Sequence, residues 1–159
     1  MIREFIRRLL YLIPRLVLVS IFMFALFITL ASNFDVFEPY LPPVYLSRAA
    51  IRPAAPGILI GPYPHRHEME DLKRQGIVVL VSLLDTSLPP EKALLERERI
   101  NAARLGMEVH SYPLWYLPVD SVKNREMRKQ LREWLAGERR PVYIHCYLGR
   151  HRAVFATTE

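Results

Sequence analysis

Residues Leu16 to Ala31 read LVLVSIFMFALFITLA, with only Ser20 and Thr29 as mildly polar side chains. A helix through this run has no polar face, so it does not suit the wall of a water-soluble core. Sixteen helical residues span about 24 Å, short of the roughly 30 Å of bilayer hydrocarbon. The run Leu9–Ile13 completes the span, with Pro14 expected as a kink and Arg15 expected to snorkel toward the headgroups. Residues 1–32 are therefore read as an uncleaved membrane anchor. A cleaved secretion signal has the same charged-then-apolar plan, and Thr29-Leu30-Ala31 offers a weak small-x-small site for it. Arg3, Arg7, Arg8 and Arg15 precede the span, and the next basic residue is Arg48. The positive-inside rule then predicts a single-pass protein with a cytoplasmic N-terminus and an extracytoplasmic body, periplasmic if the source is bacterial.

The charge left for that body is small. The whole chain carries a formal +6. Four arginines against Glu4 account for half of it within the first fifteen residues, leaving eighteen basic against fifteen acidic groups elsewhere. No Lys/Arg stripe of a nucleic-acid binder is present, so nucleic acid is not expected as a partner. Cys146 is the single cysteine, which excludes an internal disulfide framework.

Residues 33–56 hold Pro39, Pro42, Pro43, Pro53 and Pro56 and read as a semi-rigid linker. From Gly57 the pattern changes to alternating elements. Ile58–Ile60 is a short strand stopped by Gly61-Pro62. Residues 65–75 form a helix that buries Met69 and Leu72 and stops at Gly76. Ile77–Val81 is β-branched without alternation, as in a strand covered on both faces. Pro89-Pro90 opens a charged helix to about Leu105, and Met107–Tyr112 is a further strand. A loop with Trp115, Tyr116 and Pro118 follows. Ser121 caps a helix whose Met127, Leu131, Trp134 and Leu135 share one face, and Pro141–His145 is a buried strand. The prediction for residues 57–159 is an α/β domain with a small, mainly parallel central sheet flanked by helices, behind an N-terminal transmembrane helix. Ligands of such sheets sit beyond the carboxyl ends of the strands, where Cys146 stands.

Five residues separate Cys146 from Arg152, with Gly149 between them. A strand-to-helix turn of this length can wrap its backbone N–H groups around one anion, backed by the positive end of the next helix. Gly149 supplies the permissive backbone. The donors that hold the anion also favour the thiolate of Cys146, a nucleophile at phosphorus. Arg152 can grip two phosphate oxygens. Tyr147, Leu148, Gly149, Arg150 and His151 are the substrate-binding candidates; Tyr147 and Tyr116 either stack on an aryl ring or simply pack, and Arg150 and His151 either face the pocket or are solvated charges.

His145-Cys146-x-x-Gly149-x-x-Arg152 resembles the signature loop of the protein tyrosine phosphatase superfamily, and the small body resembles its dual-specificity branch, over roughly residues 57–159. The resemblance implies hydrolysis of phosphomonoesters through a phosphocysteine, without a cofactor. It implies that His145 orders the loop and that an Asp protonates the leaving oxygen. Asp120, at the end of the aromatic loop and 26 positions before the cysteine, is the first candidate for that acid. Asp85, after the strand Ile77–Val81, is the second. His65-x-His67 lacks a Cys or acidic partner at metal-ligand spacing and is read as surface, so no metal is expected.

Two departures from the pattern carry expectations. Ala153 stands where members of the family usually have Ser or Thr, whose hydroxyl aids release of the thiolate; slower turnover or accumulation of the intermediate is expected. Only seven residues follow Arg152, so the helix behind the loop is expected to make about two turns, with Val154 and Phe155 facing a core without its far wall, as in a truncated domain. The substrate is expected to be a phosphorylated protein or a phospholipid: tyrosine or dual-specificity phosphatase activity leads, ahead of phosphoinositide or phospholipid-headgroup hydrolysis. A non-catalytic phosphate-binding pseudophosphatase is the alternative from another class, and a sulfur-transferring site is the weakest.

Overall fold

The computed structural model describes residues 2–37 and 46–158. The elements are α1 (Ile2–Ser32), α2 (Phe34–Phe37), β1 (Arg52–Ala55), β2 (Ile58–Gly61), α3 (Arg66–Arg74), β3 (Val79–Ser82), α4 (Pro89–Arg104), β4 (Glu108–Ser111), α5 (Val122–Gly137), β5 (Val142–His145) and α6 (Arg152–Thr157). The five strands run in the order β1-β2-β5-β3-β4. All neighbours are parallel except the antiparallel edge pair β1/β2.

The strands β3 and β5 lack alternation because both their faces are covered. On one face Val79, Val81, Val142 and Ile144 pack with Leu131 of α5 and with Ala153 and Ala156 of α6. On the other, Leu80 and Tyr143 meet Met69 and Leu72 of α3 and Ala102 of α4. Met127, Trp134 and Leu135 join Leu131 against the first core, as their helical spacing predicts. Ser121 Oγ accepts the Asn124 N–H at 3.2 Å and caps α5. Val154 and Phe155 pack against the same core, and the Arg128 guanidinium covers the Phe155 ring at 4.5 Å.

Two boundaries differ from expectation. The third strand begins at Val79, not Ile77, because the Ile77 N–H donates to Leu72 O and finishes α3. The Pro-containing stretch read as linker contributes β1. Proline is tolerated there because an edge strand has one row of backbone groups outside the ladder. All four β1 residues are exposed, so no apolar alternation marked them as a strand. The proline run Pro39–Pro43 lies outside the described residues.

Within α1, Leu12–Ser32 is long and apolar enough to cross a membrane. Its 21 residues reach about 32 Å. Pro14 lies inside the helix. From Leu12 to Leu30 its large apolar side chains are exposed, whereas Ala31 is buried against the body.

Candidate active site

The central strand β5 ends at His145 and delivers Cys146, 3% exposed, to the carboxyl edge of the sheet. The next peptide groups are turned by bonds made behind the loop. Tyr147 O accepts the Tyr63 N–H at 3.0 Å, and Leu148 O accepts the Ala49 N–H at 2.9 Å. Gly149 then adopts φ +74°, in the left-handed region. A Cβ there would lie 2.4 Å from both Gly61 C and Pro62 N, so this position excludes side chains by backbone conformation and by space. The Gly61-Pro62 turn is itself pinned by the Tyr143 hydroxyl, which donates to Pro62 O at 2.7 Å. Burial pushes the Tyr143 phenol well above its ordinary pKa, so it stays a neutral donor.

Arg152 opens α6 and points into the body, with 1% of its surface exposed. Its Nη1 donates to Glu91 Oε2 at 2.7 Å, Leu83 O at 3.1 Å and Leu114 O at 3.2 Å, and its Nη2 donates to Glu91 Oε1. Carbonyls from the loops after β3 and β4 and a carboxylate from α4 thus fix one edge of the guanidinium. Of its five N–H groups, the Nε–H and one Nη2–H remain, side by side, for an anion. Burial opposes the charge on Arg152. The hydrogen bond and charge of Glu91, with Cys146 and Asp85 adding to them, outweigh that and hold its pKa above the ordinary range. The Tyr116 ring lies 5.5 Å from the guanidinium carbon, which brings the aromatic loop over the site.

His145 is fully buried, and its Nε2–H donates to Glu98 Oε1 at 2.8 Å. Leu148 is half-buried, and Arg150 and His151 are exposed at the turn into α6. The two aspartates differ. Asp120 is exposed, with its backbone carbonyl accepting from Arg125. Asp85 is buried, and its Oδ1 accepts from Ser87 N at 3.0 Å and Ser87 Oγ at 2.6 Å. His65, the N-cap of α3, and His67 in its first turn lie ring on ring. Among the described residues no three His, Cys, Asp or Glu side chains gather as a metal site.

Three residues of the site had not been singled out. Glu91 and Glu98 fall with Leu94, Leu95 and Ala102 on the buried face of α4, a spacing of i, i+3, i+4, i+7 and i+11 that the charged composition of the helix hid. Asn124, fully buried at the start of α5, accepts the Trp115 N–H at 2.8 Å and donates to Trp115 O at 2.9 Å and Val119 O at 3.0 Å. It ties the aromatic loop to a helix. Nothing in its sequence context marked it.

No family model and no curated protein matches the chain. Among solved structures, the fold is similar to that of a "putative phosphatase" from Shewanella putrefaciens, at TM-score 0.56 and 19% identity over 72% of each chain. It is also similar to a "putative phosphatase" from Neisseria meningitidis, at TM-score 0.52 and 15% identity over 68% of this chain and 74% of that one. At such identities the likeness is one of fold.

Proposed function

We propose that this chain is a cysteine-dependent phosphomonoesterase of the tyrosine or dual-specificity type. The observation that carries the reading is the pairing of Cys146 with an Arg152 whose outer edge is fixed by Glu91 and two carbonyls, around a loop turned by Gly149. The phosphatase descriptions of the two similar structures agree with it.

The thiolate of Cys146 attacks phosphorus, and the bond from phosphorus to the ester oxygen breaks. Asp120 gives its proton to that oxygen, and the alcohol leaves. Water then attacks the phosphocysteine, Asp120 takes a proton from it, and the S–P bond breaks to release inorganic phosphate. Arg152 and the loop N–H groups stabilise the charge on the equatorial oxygens in both steps. Asp120 is preferred to Asp85 because Asp85 is buried with Oδ1 committed to Ser87, whereas Asp120 closes the loop whose Tyr116 covers Arg152. Phosphotyrosine, phosphoserine and lipid phosphomonoesters all present the same dianion to such a loop.

The test is turnover of p-nitrophenyl phosphate by the full chain in detergent. Cys146→Ser is expected to abolish turnover, and Asp120→Asn to lower it at least 100-fold. Turnover that survives Cys146→Ser would overturn the reading. An unchanged rate in Asp120→Asn would pass the acid role to Asp85. Binding of phosphate by the intact chain without turnover would make it a pseudophosphatase.

A further inference from the structure

The membrane helix meets the body at the mouth of this site. Phe27, Ile28 and Ala31 of α1 and Phe34 of α2, with Leu88, Pro89, Pro90 and Leu94, line a cavity of about 460 Å³. Its other walls are Glu91, which holds Arg152, and Tyr147, the residue after Cys146. The Phe34 and Tyr147 rings lie 5.9 Å apart. One layer of side chains therefore separates an apolar chamber from the phosphate cradle. The volume is that of an ordinary small-ligand pocket, and almost nothing in it can hydrogen-bond.

The start of α4 follows β3, so this cavity lies at the carboxyl edge of the sheet, the edge that carries Cys146. The loop residues exposed at this edge include Leu88, Trp115, Tyr116 and Leu117, beside the polar Thr86, Ser87, Asp120, Arg150 and His151. Trp115 and Tyr116 suit the boundary between headgroups and hydrocarbon. Phe27 and Ile28 belong to the stretch that is long and apolar enough to cross a membrane, so an acyl chain of an adjoining bilayer is the occupant that suits this lining.

We propose that this chamber receives an acyl chain, and that the substrate is a lipid phosphomonoester lifted from the same bilayer, its phosphate in the Cys146 loop and one tail between α1 and α4. This rests on the phosphatase reading and names its substrate class. The reaction is the one given above, with diacylglycerol as the leaving alcohol when the probe is phosphatidic acid.

The full chain is reconstituted in phosphatidylcholine vesicles and given dioleoyl phosphatidic acid, glycerol 3-phosphate, a phosphotyrosine peptide and p-nitrophenyl phosphate. The expected kcat/KM for phosphatidic acid exceeds that for glycerol 3-phosphate and the peptide at least 100-fold. Ala31→Trp, which fills the chamber, is expected to cut the ratio of lipid to aryl turnover at least tenfold. A second measurement needs no variant. Phosphatidic acid with a photoactivatable tail is expected to label Phe34, Leu94 or Tyr147 of the wild-type chain. Label confined to outward residues of α1 such as Phe22 and Phe24, or displaced by cross-links to a second copy's α1, would overturn the proposal. Aryl turnover with the peptide preferred, or with a lipid preference unmoved by Ala31→Trp, would overturn it and leave the phosphatase reading standing. No turnover of any of the four esters would overturn both.

Discussion

Glu91 and Arg152 stand 61 positions apart and form a two-pronged buried ion pair behind the loop from Cys146 to Arg152. Neither charge is solvated, so each depends on the other. Glu91→Ala leaves the guanidinium without its counter-charge in a buried setting. Such a loss costs about 3–5 kcal/mol, read from denaturant unfolding of the full chain in detergent. Aryl phosphate turnover is expected to fall at least tenfold, because the orientation of the free Arg152 edge depends on the pair. A variant with wild-type stability and turnover would show that the two carbonyls alone hold the arginine. The His145–Glu98 pair follows the same logic about two helical turns further along: Glu98 lies seven residues after Glu91 on the same face of α4. One helix thus supplies a buried carboxylate to each end of the stretch from His145 to Arg152.

At the scale of elements, the short strands position the site and the loops supply it. Asn124 binds the aromatic loop to α5 through three hydrogen bonds. Each is worth about 1 kcal/mol net, so Asn124→Ala is expected to lower stability by about 2–3 kcal/mol. Because that loop ends at Asp120, kcat on aryl phosphate is expected to fall more than KM rises. Equal effects on both would mean that the loop only binds. The start of α3 adds a pH dependence. Burial, with Arg48 adding to it, lowers the pKa of His65, while Glu68 opposes them. The unfolded chain therefore takes up this proton at higher pH than the folded one, and stability falls as pH drops through about 6.5, the ordinary histidine value. Denaturation midpoints at pH 7.5 and 5.5 check this, and His65→Gln is expected to flatten the difference.

The same scale separates what could be read from the chain. Helix α5 and the strands β3 and β5 were legible because an apolar face or a doubly covered run leaves a periodic mark. β1 was not legible, since an exposed edge strand with a proline has no such mark. Glu91 and Glu98 were obscured because a buried glutamate looks like a surface one until its partner is known.

At the scale of the whole molecule, the end of α1 packs beside the start of α4 and the loop that follows Cys146. An uncleaved anchor is expected: intact-mass measurement of the membrane-extracted protein should show residues 1–31 retained, and a chain beginning at Ser32 would mean a secretion signal. The sequence alone determined that an apolar helix precedes an α/β body and that Cys146, Gly149 and Arg152 share one loop, because both features are local in the chain. Hydrophobic run length and motif spacing carry that information without any folding. Only the tertiary structure decided which acids hold Arg152 and His145, that Asn124 steadies the aromatic loop, and that an apolar cavity lies between the apolar N-terminal helix and the Cys146 loop. Those contacts join residues from about ten to more than a hundred positions apart, and the packing of α1 and α4 around the sheet creates the longer ones.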